Sequence, residues 1–175
     1  MLRLSDARNF FILMCLLSLS CYDGNSSSFA TSIENQPQFS VNKDCNINYD
    51  RTTSQFTLAT KITVNAQSRR RRCIIRINTS NTQKQFRLVA LAFKGEVKKA
   101  PAEVAISSFL IGERPTRVLY KSPKSGSSIK FDLTNQILPT NYTTKEKSVL
   151  GINLVLTTTG GELELTEMKF ALQQR

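Results

Sequence analysis

The sequence contains no histidine and no tryptophan. Without histidine there is no Ser-His-Asp or Cys-His nucleophile system, and no histidine-ligated zinc or iron. Without tryptophan, a common stacking surface for sugar rings is missing. Cysteine is scarce, at four residues, and the first of these, Cys15, lies in an apolar N-terminal run. Acidic residues are outnumbered, 13 against 24 Lys and Arg, so the formal charge is +11. No motif implies a cofactor or a metal, and no internal repeat is visible. No long stretch keeps a helical period without β-branched runs or Gly/Pro interruption.

What is present begins with an export pattern. Arg3 and Arg8, offset only by Asp6, precede the uncharged apolar run Phe10 to Leu19. That run is shorter than the ~20 residues a bilayer span needs, and it suits the core of a signal peptide. Residues 1–20 therefore read as a signal peptide, and no later segment is apolar enough to be a transmembrane span. Two endings stay open. Ser18-Leu19-Ser20 offers small residues for ordinary cleavage before Cys21. Alternatively Cys21 is the lipid acceptor of a bacterial lipoprotein, although Ser18 stands where a branched aliphatic is wanted. Lipidation of Cys21 would leave Cys45 and Cys73 as an even pair, and without it one thiol is left over. The expected location is extracellular or the cell envelope.

Residues 21–44 are rich in Ser, Asn and Gln and read as a polar, flexible lead-in. Residues 45–175 are enough for one domain around one core. Their apolar residues recur with a period of two. Phe56, Leu58, Ile62 and Val64 share one face of a single long strand, with Lys61 on the other. Cys73, Ile75 and Ile77 share a face, with Arg76 opposite. Phe86 to Val97 is apolar on both faces through its middle, which predicts a central strand covered on both sides. Val104 to Ile111, Arg117 to Lys121 and Ile129 to Leu133 add shorter strands. Val149 to Thr157 and Glu162 to Leu172 flank Thr158-Thr159-Gly160-Gly161, a hairpin signal. The inward set shifts by one residue between Leu165 and Met168, which predicts a β-bulge at Thr166-Glu167. The expectation is an all-β fold, a single antiparallel β-sandwich of about eight strands, jelly-roll-like.

Cys45 and Cys73 bracket the first long strand. A disulfide between them would stabilise the fold by roughly 3 kcal/mol in the chain-entropy model. Metal binding by the same pair would lack further ligands.

The positive charge is concentrated: residues 51–130 carry 17 basic residues against Glu96, Glu103 and Glu113. Arg69, Arg70, Arg71 and Arg72 are the sharpest feature within it. Four guanidiniums in a loop can clasp phosphates, sulfates or carboxylates in bidentate fashion. The same run also reads as a solvated connection that only aids solubility. As a dibasic processing site it would leave two pieces joined by the disulfide, a poor activation device. Zinc spacing, helix-turn-helix pattern and paired RNA-binding aromatics are all missing, so sequence-specific nucleic acid is not an expected partner. Asn25, Asn78 and Asn141 head N-glycosylation sequons. Carboxylate pairs are the only acid/base chemistry left, from Glu96, Glu103, Glu113 and Asp132. All four sit among polar or basic residues, so an enzyme is not expected.

The basic run into Arg72-Cys73-Ile74-Ile75-Arg76-Ile77, the segment Phe86 to Gly95 ending in Phe-Lys-Gly, Phe109, the strand Leu150-Gly151-Ile152-Asn153 and the terminal stretch Met168 to Gln173 together resemble the small secreted microbial proteins of domain-of-unknown-function family four-three-six-zero. Asn46-Ile47-Asn48 follow Cys45 where that family usually has Pro and Gly, and its further C-terminal cysteines are absent. The resemblance implies a secreted β-rich domain and supplies no catalytic residue.

Two functions follow as expectations. The first is an exported non-enzymatic binding module whose basic middle region, Arg69 to Arg72 with Lys94, Lys98 and Lys99, meets a polyanion such as acidic polysaccharide or an anionic envelope surface. The second is a secreted protein-interaction or inhibitor module acting through loops or an apolar patch.

Overall fold

Alternating apolar and polar residues build two antiparallel sheets that share one core. The computed structural model describes residues 36–175. The expected signal peptide, Cys21, the Asn25 sequon and most of the polar lead-in lie outside the described residues. Eleven strands follow in order: β1 (Gln38–Val41), β2 (Ile47–Asp50), β3 (Gln55–Leu58), β4 (Ile62–Val64), β5 (Arg70–Asn78), β6 (Phe86–Lys99), β7 (Ala102–Leu110), β8 (Thr116–Lys121), β9 (Ile129–Asp132), β10 (Val149–Thr158) and β11 (Glu162–Gln174). One sheet runs β1-β5-β10-β7-β8 and the other β2-β3-β11-β6-β9, with β4 also paired to β11. Within them, β3-β11-β6-β9 faces β5-β10-β7-β8, the strand order of a jelly roll. The expected architecture is the observed one, with short strands β1, β2 and β4 added at its margin. No helix among the described residues is long and apolar enough to cross a membrane.

The core lies between the inward rows. Leu150, Ile152, Leu154 and Leu156 of β10 are fully buried, as are Ile75 and Ile77 of β5 and Leu163, Leu165 and Phe170 of β11. Aromatic pairs close both flanks. Phe39 of β1 meets Tyr49 of β2 at 4.5 Å, and Tyr120 of β8 stacks on Phe131 of β9 at 4.8 Å. Cys45 and Cys73 are bonded, with Cα atoms 5.0 Å apart. The bond ties the β1–β2 connection to β5.

Thr166 is the extra residue of a bulge, because Leu165 pairs with Gly95 and Glu167 with Lys94. Its hydroxyl donates to the Lys94 carbonyl at 3.1 Å. This is the predicted bulge, and it also explains a difference. The stretch from Phe56 to Val64 is two strands rather than one, because β3 pairs with Lys169–Ala171 and β4 with Leu163–Leu165, on either side of the bulge.

Two further expectations are corrected. The doubly apolar middle of β6 is not covered on both faces. Ala90 pairs with Phe170 and Ala92 with Lys169, so Leu91 is a second bulge and stands 40% exposed. The one-residue insertion switches the inward set from Phe86 and Leu88 to Phe93 and Val97, and this switch makes the run look apolar throughout. Nor are β10 and β11 a hairpin. They belong to opposite sheets and pack face to face, so Thr159-Gly160-Gly161 is an arch over the edge of the core. The Thr158 hydroxyl donates to the Pro101 carbonyl at 2.7 Å and accepts from Gly161 N–H at 2.7 Å. A side chain at Gly161 would run into the backbone carbonyls of Lys99 and Pro101, the latter 2.6 Å from a Cβ.

Residues 38–41, which the sequence places in the lead-in, form edge strand β1. This strand covers only the C-terminal part of β5, ending at the pair Val41–Ile75. Asn42 then takes over with its side chain. Its Oδ1 accepts from Ile74 N–H at 2.7 Å and its Nδ2 donates to the Arg72 carbonyl at 2.7 Å. An amide side chain here imitates the next residue of a strand.

Candidate functional site

Arg70, Arg71 and Arg72 open β5, and only Arg69 precedes the strand. The run expected in a loop is therefore mostly extended backbone, and strand alternation divides it. Arg71 falls on the side of Cys73, at the end of the core, and pairs with Asp44 at 3.6 Å. Arg70 and Arg72 fall on the outer face of the five-stranded sheet.

Cross-strand register assembles the rest of that face. One row reads Arg72, Val155, Ala105, Leu119 across β5, β10, β7 and β8, and the next reads Ile74, Asn153, Ser107, Arg117. Arg70, Arg72 and Arg117 line a depression of about 260 Å³ whose floor includes Val155, Ala105 and Ser107. Its basic walls stand three strand spacings apart, about 14 Å. Among the described residues no carboxylate lies within ion-pair distance of Arg70, Arg72 or Arg117. Glu103 shares the face but is engaged by Lys121 at 3.1 Å.

A third row reads Arg76, Gly151, Phe109. The Phe109 ring reaches over Gly151 so closely that a Cβ there would come within 2.6 Å of the ring. The Arg76 guanidinium lies 5.0 Å from the ring centroid. Its Nη1 donates to the Ile75 carbonyl at 3.0 Å and its Nη2 to Asn153 Oδ1 at 3.1 Å. Burial, and then the neighbouring charge of Arg72, draw the Arg76 guanidinium below its ordinary pKa. It nevertheless stays charged, because guanidinium retains its proton in proteins. The site thus holds a half-buried cation whose hydrogen-bond acceptors here are all neutral.

Arg76 and Arg117 escaped the sequence reading as site residues. Only sheet register brings Arg117 opposite a strand that begins at Arg70. An isolated glycine in an apolar strand, Gly151, was the available signal of a close approach.

Lys94, Lys98 and Lys99 lie on β6, in the other sheet. Lys94 is 3.7 Å from Glu167 and Lys98 2.6 Å from Glu96. The structure therefore brings Arg70 and Arg72 together with Arg117, and does not bring these lysines to them.

The carboxylates are engaged as well. Glu113 pairs with Lys147 at 3.8 Å. The Lys98 hydrogen bond lowers the Glu96 pKa, and the Thr134 hydroxyl followed by its N–H lowers that of Asp132. Neither is raised into the range that a general acid needs. Depressed folded-state pKa values favour folding above the ordinary carboxylate range, and that contribution disappears as pH falls through the lowered values. Asp132→Asn is accordingly expected to flatten the fall of the thermal midpoint below about pH 4, measured by circular dichroism against wild type. An unchanged slope would show that Asp132 gains nothing from its Thr134 contacts.

No protein-family model and no curated protein matches the chain. Among solved structures it is similar to TmCBM61 in complex with β-1,4-galactotriose, at 11% identity and a TM-score of 0.40, over 84% of this chain and 94% of that one. It is also similar to the enzymatically active domain of bacteriophage CBA120 tailspike protein 4, at 11% identity and a TM-score of 0.32. That match spans 83% of this chain and 20% of the tailspike chain. Neither likeness assigns a ligand to this protein.

Proposed function

We propose that the protein is an exported, non-enzymatic binding module that holds an anionic polymer on the outer face of its five-stranded sheet. The carrying observation is the depression lined by Arg70, Arg72 and Arg117, none of which has a carboxylate partner among the described residues. Arg76 adds a fixed positive charge one row away. Guanidiniums clasp carboxylates, sulfates and phosphates through paired N–H donors, and a row of them suits a ligand that repeats its charge. Release of counterions from the polymer would supply much of the affinity and make it fall steeply with salt. A disulfide suits the oxidising compartment where an exported protein works.

The test separates this face from net charge. Arg70, Arg72 and Arg117 are changed together to Ser in one variant, and Lys94, Lys98 and Lys99 together to Ser in another. Both lose three positive charges. At low salt the arginine variant is expected to bind a sulfated or carboxylated polysaccharide about 30-fold more weakly, at roughly 0.7 kcal/mol per exposed guanidinium. The lysine variant should stay within about threefold of wild type, since Lys94 and Lys98 are already paired. Equal losses in both would mean that only overall charge attracts the polymer, and the assigned face would be wrong.

A further inference from the structure

The middle of the arginine face is not basic, and this bears on what lies there. Between β5 and Arg117 of β8 the floor is made of Val155, Ala105, Ser107 and Asn153, all half-buried and uncharged. Leu119, in register with Ala105, stands 46% exposed on the same face. The Phe109 ring continues this uncharged strip toward Arg76. Along β5, Arg70 to Arg76 extends about 20 Å, long enough for several sugar units in a row. The face is thus a trough with arginines along β5 and at Arg117 on β8, a partly apolar floor between them, and the Lys121-paired Glu103 in the Arg70 row at one end.

Different polyanions would use such a trough differently. A polyphosphate presents charged oxygens along its whole length. Laid on Leu119 and Val155, it would lose water from those oxygens without gaining partners. A membrane surface is flat and cannot reach the half-buried Val155 and Ala105 between long side chains. A pyranose ring carries a C–H face that covers small apolar side chains, and hydroxyls that reach Ser107 and the Nδ2 of Asn153, whose Oδ1 already accepts from Arg76. When the exocyclic carbon is a carboxylate, the charge sits at the edge of the ring, where the guanidiniums stand. Resting on the function proposed above, we infer that the polymer is a polysaccharide built with uronic acids, its rings on the Val155–Ala105 floor and against Leu119 on the β8 side, and its carboxylates on Arg70, Arg72 and Arg117.

Calorimetry with oligomers of galacturonate, glucuronate and mannuronate, a methyl-esterified oligogalacturonate and inorganic polyphosphate tests the inference. Leu119→Ser removes apolar surface beside the floor without removing charge, and it changes an exposed side chain, so the variant should fold. At least one uronate oligomer is expected to bind more tightly than polyphosphate, and Leu119→Ser to weaken it about 10-fold while leaving polyphosphate unchanged. If galacturonate is the oligomer that binds, its esterified form should bind at least 10-fold more weakly. Polyphosphate binding as tightly as every uronate oligomer, with Leu119→Ser neutral toward all, would leave the arginine face standing and overturn the sugar assignment. Loss of binding to all the anions in wild type would overturn both. Equal binding of charged and esterified oligogalacturonate would also overturn the assignment of carboxylates to the arginines.

Discussion

Phe170→Ala is expected to destabilise the protein by about 4 kcal/mol, the largest single-residue effect anticipated here. Phe170 is fully buried on β11, in the middle of its sheet. Its ring stacks on Phe56 at 5.7 Å, and Phe56 meets the edge of Phe39 at 5.5 Å. Phe39 in turn touches Tyr49 across the flank between the sheets. Truncation removes the transfer free energy of the ring, leaves a cavity that two hydrogen-bonded sheets cannot easily collapse, and ends a chain of aromatic contacts worth about 1 kcal/mol per pair. Since small domains are stable by only about 5–15 kcal/mol, the variant should show a large drop in urea midpoint. Leu138→Ala, at a residue 57% exposed, serves as control and should change stability by less than about 0.5 kcal/mol. A loss below about 1.5 kcal/mol for Phe170→Ala would mean that the aromatic row is peripheral to the core.

Reduction of the Cys45–Cys73 bond should cost about 3 kcal/mol. The bond closes a loop across a sequence separation of 28, and its loss frees the unfolded chain while the folded chain gains little. Cys73 is 1% exposed and follows Arg72 directly, so the bond also anchors the start of the arginine strand. Urea unfolding with and without dithiothreitol, repeated on a Cys45→Ala variant, measures the effect. Matching curves with and without reductant for wild type would show that the bond adds nothing. A reductant effect that persists in Cys45→Ala would point to something other than this bond. Cys45→Ala is the preferred variant because Cys73, 1% exposed against 8% for Cys45, lies deeper in the core, where truncation costs more.

Much of this architecture is legible in the sequence because burial on one face of a sheet imposes a period of two. The bulge at Thr166 could be located from the change of phase between Leu165 and Met168, and the disulfide from the way Cys45 and Cys73 bracket the first strands, although Cys21 left the count open. The arch between β10 and β11 could not be foreseen, since Thr159-Gly160-Gly161 suits a hairpin and an arch equally well. Whether the two strands share a sheet is decided by which apolar rows face each other across the core. Leu91 misled for a related reason: a bulge and double coverage leave the same mark on a single sequence. At the candidate site the arginine run was visible, but its division between two faces depended on its being a strand. Arg117 and Phe109 joined it only through register. Lys94 and its neighbours separated from it because successive strands β5 and β6 lie in opposite sheets.

The side-chain amide of Asn42 has a consequence beyond the fold itself. Where β1 stops, β5 would otherwise present unpaired backbone groups to any passing strand, the usual starting point of edge-to-edge aggregation. The Asn42 side chain occupies two of these groups and its N–H a third, and the stretch beyond it carries Arg70 and Arg72, whose like charges hold a second copy away. The edge is thus closed partly by a plug and partly by repulsion. Only the repulsion is sensitive to salt and to bound anions. If the proposed polymer neutralises these arginines, it also weakens the repulsion at this edge, so resistance to edge pairing and occupancy of the face would draw on the same charges.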